Sequence, residues 1–486
     1  MQRKRSLRPT LAQGALTAAV ALLAGLSQAN AQAPAPGAPL SGAGSFPQSF
    51  IVPGTNTSLH VGGQIQIDLS YNFDNYGANS VGAYDNLAPA TAGLEGPGAP
   101  GSAAHTNGGV SRFTADNSKL FTETRTPTAY GELKTYVEFD FQGGQATNTT
   151  TAGGSTTIKC CMDDGIPRLR MAYGTLGPWL IGKAESNFVD LAALADTLDG
   201  FVQAGGFMGA GTFRQTQIRY TWLLPNGISA AGSIESAASG GILQTAPTTP
   251  GSALAVARWN NFNAPGLTQK VPAFVGAAQI QQPWGHAKFA VAVMQERFDE
   301  VAAVAPALPN GTHFQRWGYM LTQSGHLNTF GRDKLTWSIA YGQGAAQYSW
   351  PLASPDLGLN YEEGLICSAT TSATSYACSQ PRVFGVNAGY DHFWTDEWRS
   401  GVSFGYDNVS RPNSAGPWSN FITGAATGSV ALSNLEHRHY SAGVSLFWTP
   451  VANVQFGLGY LWYHREVWSG ARGDANRVMS QALFRF

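Results

Sequence analysis

From Leu59 to Phe73 the odd positions read Leu59, Val61, Gly63, Ile65, Ile67, Leu69, Tyr71 and Phe73, and the even ones His60, Gly62, Gln64, Gln66, Asp68, Ser70 and Asn72. A period of two over so many residues predicts a long strand with one apolar and one polar face. The pattern returns with Leu133, Val137, Phe139 and Phe141 set against Lys134, Tyr136, Glu138 and Asp140. It returns again at Leu335-Trp337-Ile339-Tyr341, Val402-Phe404-Tyr406, Tyr440-Ala442-Val444-Leu446-Trp448 and Val454-Phe456-Leu458-Tyr460-Trp462. The last repeat sets Val478, Ala482, Phe484 and Phe486 against Arg477, Gln481 and Arg485.

Short connections alternate with long ones. The short ones hold turn formers: Thr126-Pro127-Thr128, Leu176-Gly177-Pro178, Pro225-Asn226-Gly227, Gln282-Pro283, Gly325 to Asp333, Thr395-Asp396-Glu397 and Thr449-Pro450-Val451. Pro presets φ, Gly permits positive φ, and Asn-Gly favours a hairpin. The long ones are Gly/Ser/Thr/Ala/Pro-rich, over 74–110, 142–167, 187–212, 236–270, 298–313, 343–381, 410–434 and 466–474. This alternation predicts about sixteen antiparallel strands with both ends on the short-turn side, the arrangement of a transmembrane β-barrel of the bacterial outer membrane. Lipid offers no partners to backbone N–H and C=O groups, and a closed sheet satisfies them without edges. Tryptophans near strand ends (Trp179, Trp222, Trp284, Trp394, Trp398, Trp448) suit an interfacial girdle. The all-β class is thus set. A soluble all-β protein is the alternative, and charges such as Asp68 and Glu138 on the second face argue against a dry sandwich core.

Composition agrees. The 486 residues are 43% hydrophobic and 12% charged, with 58 Gly, and carry a formal charge of -1. Such balance disfavours a generic nucleic-acid binder. Arg3, Lys4, Arg5 and Arg8 precede an apolar run from Leu11 to Leu26 and the small-x-small site Ala29-Asn30-Ala31. This predicts a signal peptide over 1–31, a Pro/Ala/Gly-rich periplasmic segment over 32–57 and the barrel over 58–486. Beyond residue 31 no apolar run is long enough for a transmembrane helix.

A barrel of this size has room for water, and the charges at its narrowest point then decide what passes. The candidate lumen groups are Arg125, Lys134, Glu138, Asp140, Arg168, Arg170 and Arg219. Two arrangements are open: cations on one wall facing carboxylates across the bore, or the same charges paired with one another along the wall. The connection 187–212 differs from the rest, because Phe188 to Asp199 carries apolar residues at helical spacing with Asp190, Asp196 and Asp199 as its charges, followed by a glycine-rich return. It is expected to fold inward as a constriction loop, the alternative being a lid or a subunit contact.

The segment Thr126 to Phe141 resembles the DcaP-like trimeric porins, as do Arg168-Leu169-Arg170-Met171-Ala172-Tyr173-Gly174, Asn187-Phe188-Val189-Asp190-Leu191 leading into Thr197-Leu198-Asp199, and Arg214-Gln215-Thr216-Gln217-Ile218-Arg219-Tyr220. The motif similarity covers about residues 110–235, and beyond it the strand pattern alone is shared. The resemblance implies a homotrimer with one pore per subunit, passing small anions such as dicarboxylates. Lys183 stands where that pattern leads one to expect a neutral residue. Some members carry an N-terminal coiled coil, whereas residues 32–57 show no heptads.

Other motifs carry less. Gly401-Val402-Ser403-Phe404-Gly405 matches a serine-hydrolase elbow, but it lies inside an amphipathic strand rather than at a strand–turn–helix junction. His437 and His439 share a face without a third metal ligand. Cys367 and Cys378 lie in one long connection and could staple it, and the adjacent Cys160 and Cys161 have no assigned pairing. The function expected is passive diffusion of small hydrophilic solutes through the outer membrane in contact with its lipid, without cofactor, metal or catalysis. An adhesin, receptor or enzyme acting through the long loops is the alternative.

Overall fold

The computed structural model describes residues 42–73, 109–143, 147–151, 155–159, 166–198, 214–237, 240–244, 256–260, 270–299, 313–349, 364–369, 376–410, 436–467, 470 and 472–486. The expected signal peptide, Asp199 and the Cys160–Cys161 pair lie outside them. Among the described residues, 42–59 belong to one unit and those from His60 onward to another. Within the first, Phe50–Ile51 pairs antiparallel with Ser58 and Leu59.

Sixteen antiparallel strands close the barrel. They are β1 (Ser58–Asn72), β2 (in two pieces, Val110–Thr114 and Lys119–Thr128), β3 (Gly131–Gly143), β4 (Ile166–Leu176), β5 (Trp179–Glu185), β6 (Arg214–Leu224), β7 (Ile228–Glu235) and β8 (Ala273–Gln282). The second half is β9 (Gly285–Asp299), β10 (His313–Asn328), β11 (Lys334–Gln343), β12 (Arg382–Phe393), β13 (Trp398–Ser410), β14 (Glu436–Val451), β15 (Val454–Val467) and β16 (Arg472–Arg485). The seam pairs β1 with β16, placing Asp68 opposite Gln481. The gap in β2 is a turn whose Asn117 amide donates to Asp68 Oδ2 at 2.8 Å.

The period of two becomes an inside and an outside. On β1, Val61, Ile65 and Leu69 are exposed outward while Gln66, Asp68, Ser70 and Asn72 are buried inward. Outward Ile339, Val402, Phe404, Leu446 and Leu458 continue the lipid band. Aromatic pairs gather beside the short turns: Trp398 stacks on Trp448 (5.8 Å) and Trp179 meets Tyr220 edge-on (4.8 Å). At the β6–β7 hairpin Asn226 and Gly227 both adopt positive φ (61° and 67°), the geometry a primed hairpin turn demands and the reason for Asn-Gly there.

Part of the interior is solid. Ala290, Ala292 and Met294 of β9, Met320 of β10 and Val383 of β12 point inward and pack against Phe188, Ala346 and Tyr348, which belong to connections rather than wall strands. A small separate sheet joins the β7–β8 and β11–β12 connections, with 240–244 parallel to 365–369. Next to it Cys378 is disulfide-bonded and stands directly opposite Cys367 in the register.

The lipid face makes a direct demand. Leu458→Arg is expected to destabilise the barrel by about 2–4 kcal/mol, whereas Gln481→Arg, facing the lumen beside Asp68, is expected to cost less than about 1 kcal/mol. Urea unfolding from lipid vesicles measures both.

Candidate functional site: the lumen and its in-folded loop

The loop after β5 enters the barrel. Its helical spacing yields a single 3-10 turn, Leu191–Ala193, with Asp190 as N-cap donating no proton but accepting one from the Ala192 N–H. A longer helix does not form because the chain is drawn along the wall by its polar groups. Asp190 Oδ2 accepts from Ser324 Oγ at 2.7 Å and lies 3.1 Å from His286 Nε2. Lys288 Nζ donates to the Val189 carbonyl at 2.6 Å, and His326 Nδ1 lies 3.1 Å from the Ala192 carbonyl. Further along, the Asp196 N–H donates to Asp391 (2.7 Å) while its carboxylate takes Arg399 Nε at 2.6 Å. The Leu198 N–H reaches Ser445 Oγ at 3.0 Å. The loop therefore touches inward residues of β9, β10, β12, β13 and β14, which fixes it inside.

Glycines make its seat. A Cβ on Gly389 would overlap Ala195, one on Gly401 would overlap the Asp196 carbonyl, and Gly457 and Gly459 leave room for the Leu198 side chain. Gly401, the first residue of the elbow-like motif, is thus explained by close backbone approach. The motif itself lies within β13, with Val402 and Phe404 exposed outward.

The carboxylates of the loop do not form a free acidic rim. Asp190 is buried, and burial pushes its carboxyl up, but the hydrogen bonds from His286 and Ser324 outweigh this and hold it below the ordinary carboxylate range. Asp196 is half-exposed and paired with Arg399. The loop also leaves apolar surface exposed, with Leu191 at 47%.

Six of the seven wall groups are brought together, and one is not. Arg170 pairs with Glu138 (2.6 Å) and Asp140 (2.7 Å), and Arg168 pairs with Asp140 at 2.6 Å. Lower on the same wall, Glu123 binds Arg125 at 2.7 Å and Lys134 at 3.0 Å. Of the two arrangements left open by the sequence, pairing along the wall is the one formed: these cations and carboxylates sit on neighbouring strands β2, β3 and β4, because cross-strand partners share a face and opposite charges there attract. Arg219 on β6 faces inward yet makes no hydrogen bond or ion pair with a described residue. Lys119, opposite Asp140 in the register, likewise makes none with a described residue. Sequence reasoning missed Lys119, and also Glu123, the loop anchors His286, Lys288, Ser324, Asp391 and Arg399, and the glycine seat. A polar or glycine residue at the inward position of several strands was the signal that marked the anchors. His439, set aside as a metal ligand, is buried 2.5 Å from Asp407.

Lys183 lies elsewhere. It pairs in register with Ala172 and Thr216, on the face that carries exposed Ile181 and Ile218, so it points out of the barrel.

A closed barrel with an apolar exterior, a charged interior and a loop laid along the inner wall defines an outer-membrane barrel of the porin class. Residues 42–482 match the family described as Porin subfamily, and the chain belongs to that family; its place is the bacterial outer membrane. Among curated relatives, the porin Omp2a of Brucella melitensis is 27% identical over 192 residues, 38% of this chain and 43% of the relative, and Omp2a of Brucella suis matches over the same span. The chain spans less than half the length of these relatives. The solved outer membrane channel DcaP of Acinetobacter baumannii shares the fold, with a TM-score of 0.59, 19% identity, 91% of this chain and 100% of that one covered.

Filling the glycine seat should release the loop. Gly401→Val is expected to cost the docked state about 1–3 kcal/mol by overpacking, speeding amide exchange at Asp196–Leu198 by roughly five- to 150-fold, with the barrel still folded. Exchange mass spectrometry of the refolded protein measures it.

Proposed function

We propose that this chain forms a water-filled channel for passive diffusion of small hydrophilic solutes, with a preference for small anions such as dicarboxylates, and that it acts as a homotrimer after export by its signal peptide. The observation that carries the anion preference is Arg219: among the candidate wall cations it alone makes no hydrogen bond or ion pair with a described residue, the nearby Glu235 carboxylate being taken up by other donors. The paired groups around Asp140 contribute a polar, nearly neutral surface that replaces hydration without trapping an ion. The channel does no chemistry in this reading; it supplies water and polar groups across lipid.

Lys183 supports assembly with further copies. It stands five residues beyond Pro178 at the turn, about 13 Å up the wall at ~3.3 Å per residue and a ~40° tilt. A lysine facing lipid near the midplane costs about 2–4 kcal/mol. A nearby outward group is Thr216, its register partner. Contact with a second copy of the chain removes this cost, and Lys183 then has no part in selectivity inside the bore.

Planar-bilayer recordings of the refolded protein under a salt gradient provide the test. Current steps in threes and a reversal potential on the anion side are expected. Arg219→Gln is expected to move that potential toward zero, while Lys183→Gln leaves it unchanged. A cation-side potential in the wild type would remove the anion preference, and a folded barrel that passes no current would remove the channel.

A further inference from the structure

A second segment also folds inward. Beyond β11 the chain turns through Gly344 and Ala345, both left-handed (φ 61° and 50°), into a 3-10 turn at Ala346–Tyr348 that is wholly buried. Gly318 on β10 makes this entry possible, because a Cβ there would overlap the Ala345 nitrogen. The Ala346 N–H donates to Glu296 Oε1 at 2.9 Å, and Gln347 Nε2 donates to the Ser236 carbonyl at 2.9 Å. A non-glycine residue at positive φ is a strained choice, and these bonds hold it in place.

Both inward segments end on one carboxylate. Glu235, at the last position of β7 and 1% exposed, accepts from Ser186 Oγ (2.6 Å) and the Asn187 N–H (2.8 Å), the first two residues of the loop after β5. It accepts from Ser233 Oγ at 2.9 Å on its own strand. Its fourth bond comes from Tyr348 of the second segment, whose hydroxyl donates at 3.1 Å and whose ring packs against Phe188 at 5.3 Å. Arg219 and Lys288 lie within electrostatic reach of it, neither bonded to it.

We infer that Glu235 is a positioning residue for the bore: it locks the two in-folded segments to the wall and to each other, with Tyr348 as the clamp between them. This rests on the channel reading above. A methionine or leucine would fill the same space without burying a carboxylate, so packing alone does not account for the residue. What the carboxylate adds is direction, since its two oxygens take donors from three separate stretches of chain and so fix the angle at which each leaves the wall. The loop after β5 is pinned again at Asp190, Asp196 and Leu198, but Ser186 and Asn187 set where it starts.

The test compares wild type, Glu235→Ala, Glu235→Gln and Tyr348→Phe in full-length refolded protein, by single-channel recording and by amide exchange. Glu235→Ala is expected to speed exchange by more than about tenfold in both Asn187–Asp190 and Ala346–Ser349, and to at least double open-channel noise. Glu235→Gln, which keeps the shape and one acceptor, should recover part of both effects. Tyr348→Phe should loosen Ala346–Ser349 more than Asn187–Asp190. Should the alanine variant fail to fold, the Gln and Phe variants carry the comparison. Unchanged exchange would overturn the lock, and faster exchange with unchanged current and noise would reduce Glu235 to a structural group. A silent wild type would overturn the channel reading, and the bore role with it.

Discussion

Backbone polarity in a solvent without hydrogen-bond partners governs this molecule. Every N–H and C=O of a spanning strand must find its partner in the next strand, and the pairing of β1 with β16 supplies the last set. From that closure comes the division of each strand into an outer and an inner face. Side chains outside answer to lipid and those inside to one another. The burial of Asp68 a few residues from exposed Ile65 is the same fact seen on two sides of one strand.

Inside, two kinds of order coexist. On β2, β3 and β4 the wall neutralises itself: Glu123 is shared between Arg125 and Lys134, Asp140 between Arg168 and Arg170, and Glu138 pairs with Arg170. From β7 to β13 it is instead lined with small apolar residues, glycines and isolated polar groups, because chain rather than water lies against it. One wall is built to stay wet and the other to be covered. Arg219 stands outside both arrangements, making no hydrogen bond or ion pair with a described residue.

The lipid-facing half of this was legible in the chain. Val61, Ile65 and Leu69 declare an outer face by alternation alone, and Asn226-Gly227 declares its hairpin by backbone preference. The inward course of 187–198 was also readable, since apolar residues at Phe188 and Leu198 need a surface to pack on. What could not be read were contacts between residues distant in sequence. Asp190 meets Ser324 and Asp196 meets Arg399 only after the barrel has closed. Pairing along the wall was one of two open arrangements, and register decided it by putting Asp140 opposite Arg168. The second in-folded segment had no periodic signal, because a single turn entered through left-handed Gly344 and Ala345 is too short to carry one.

The sharing of Asp140 between two arginines has an evolutionary consequence. Glu138, Asp140, Arg168 and Arg170 together sum to no net charge, so this patch is silent to a passing ion while intact. Loss of one carboxylate by a single codon change would leave an arginine charge unbalanced inside a wall whose strands still pair as before. A lineage carrying this barrel can therefore change the charge of its inner wall in one step while keeping its strand pairing, at a stability cost of about 3–5 kcal/mol that later substitutions must offset.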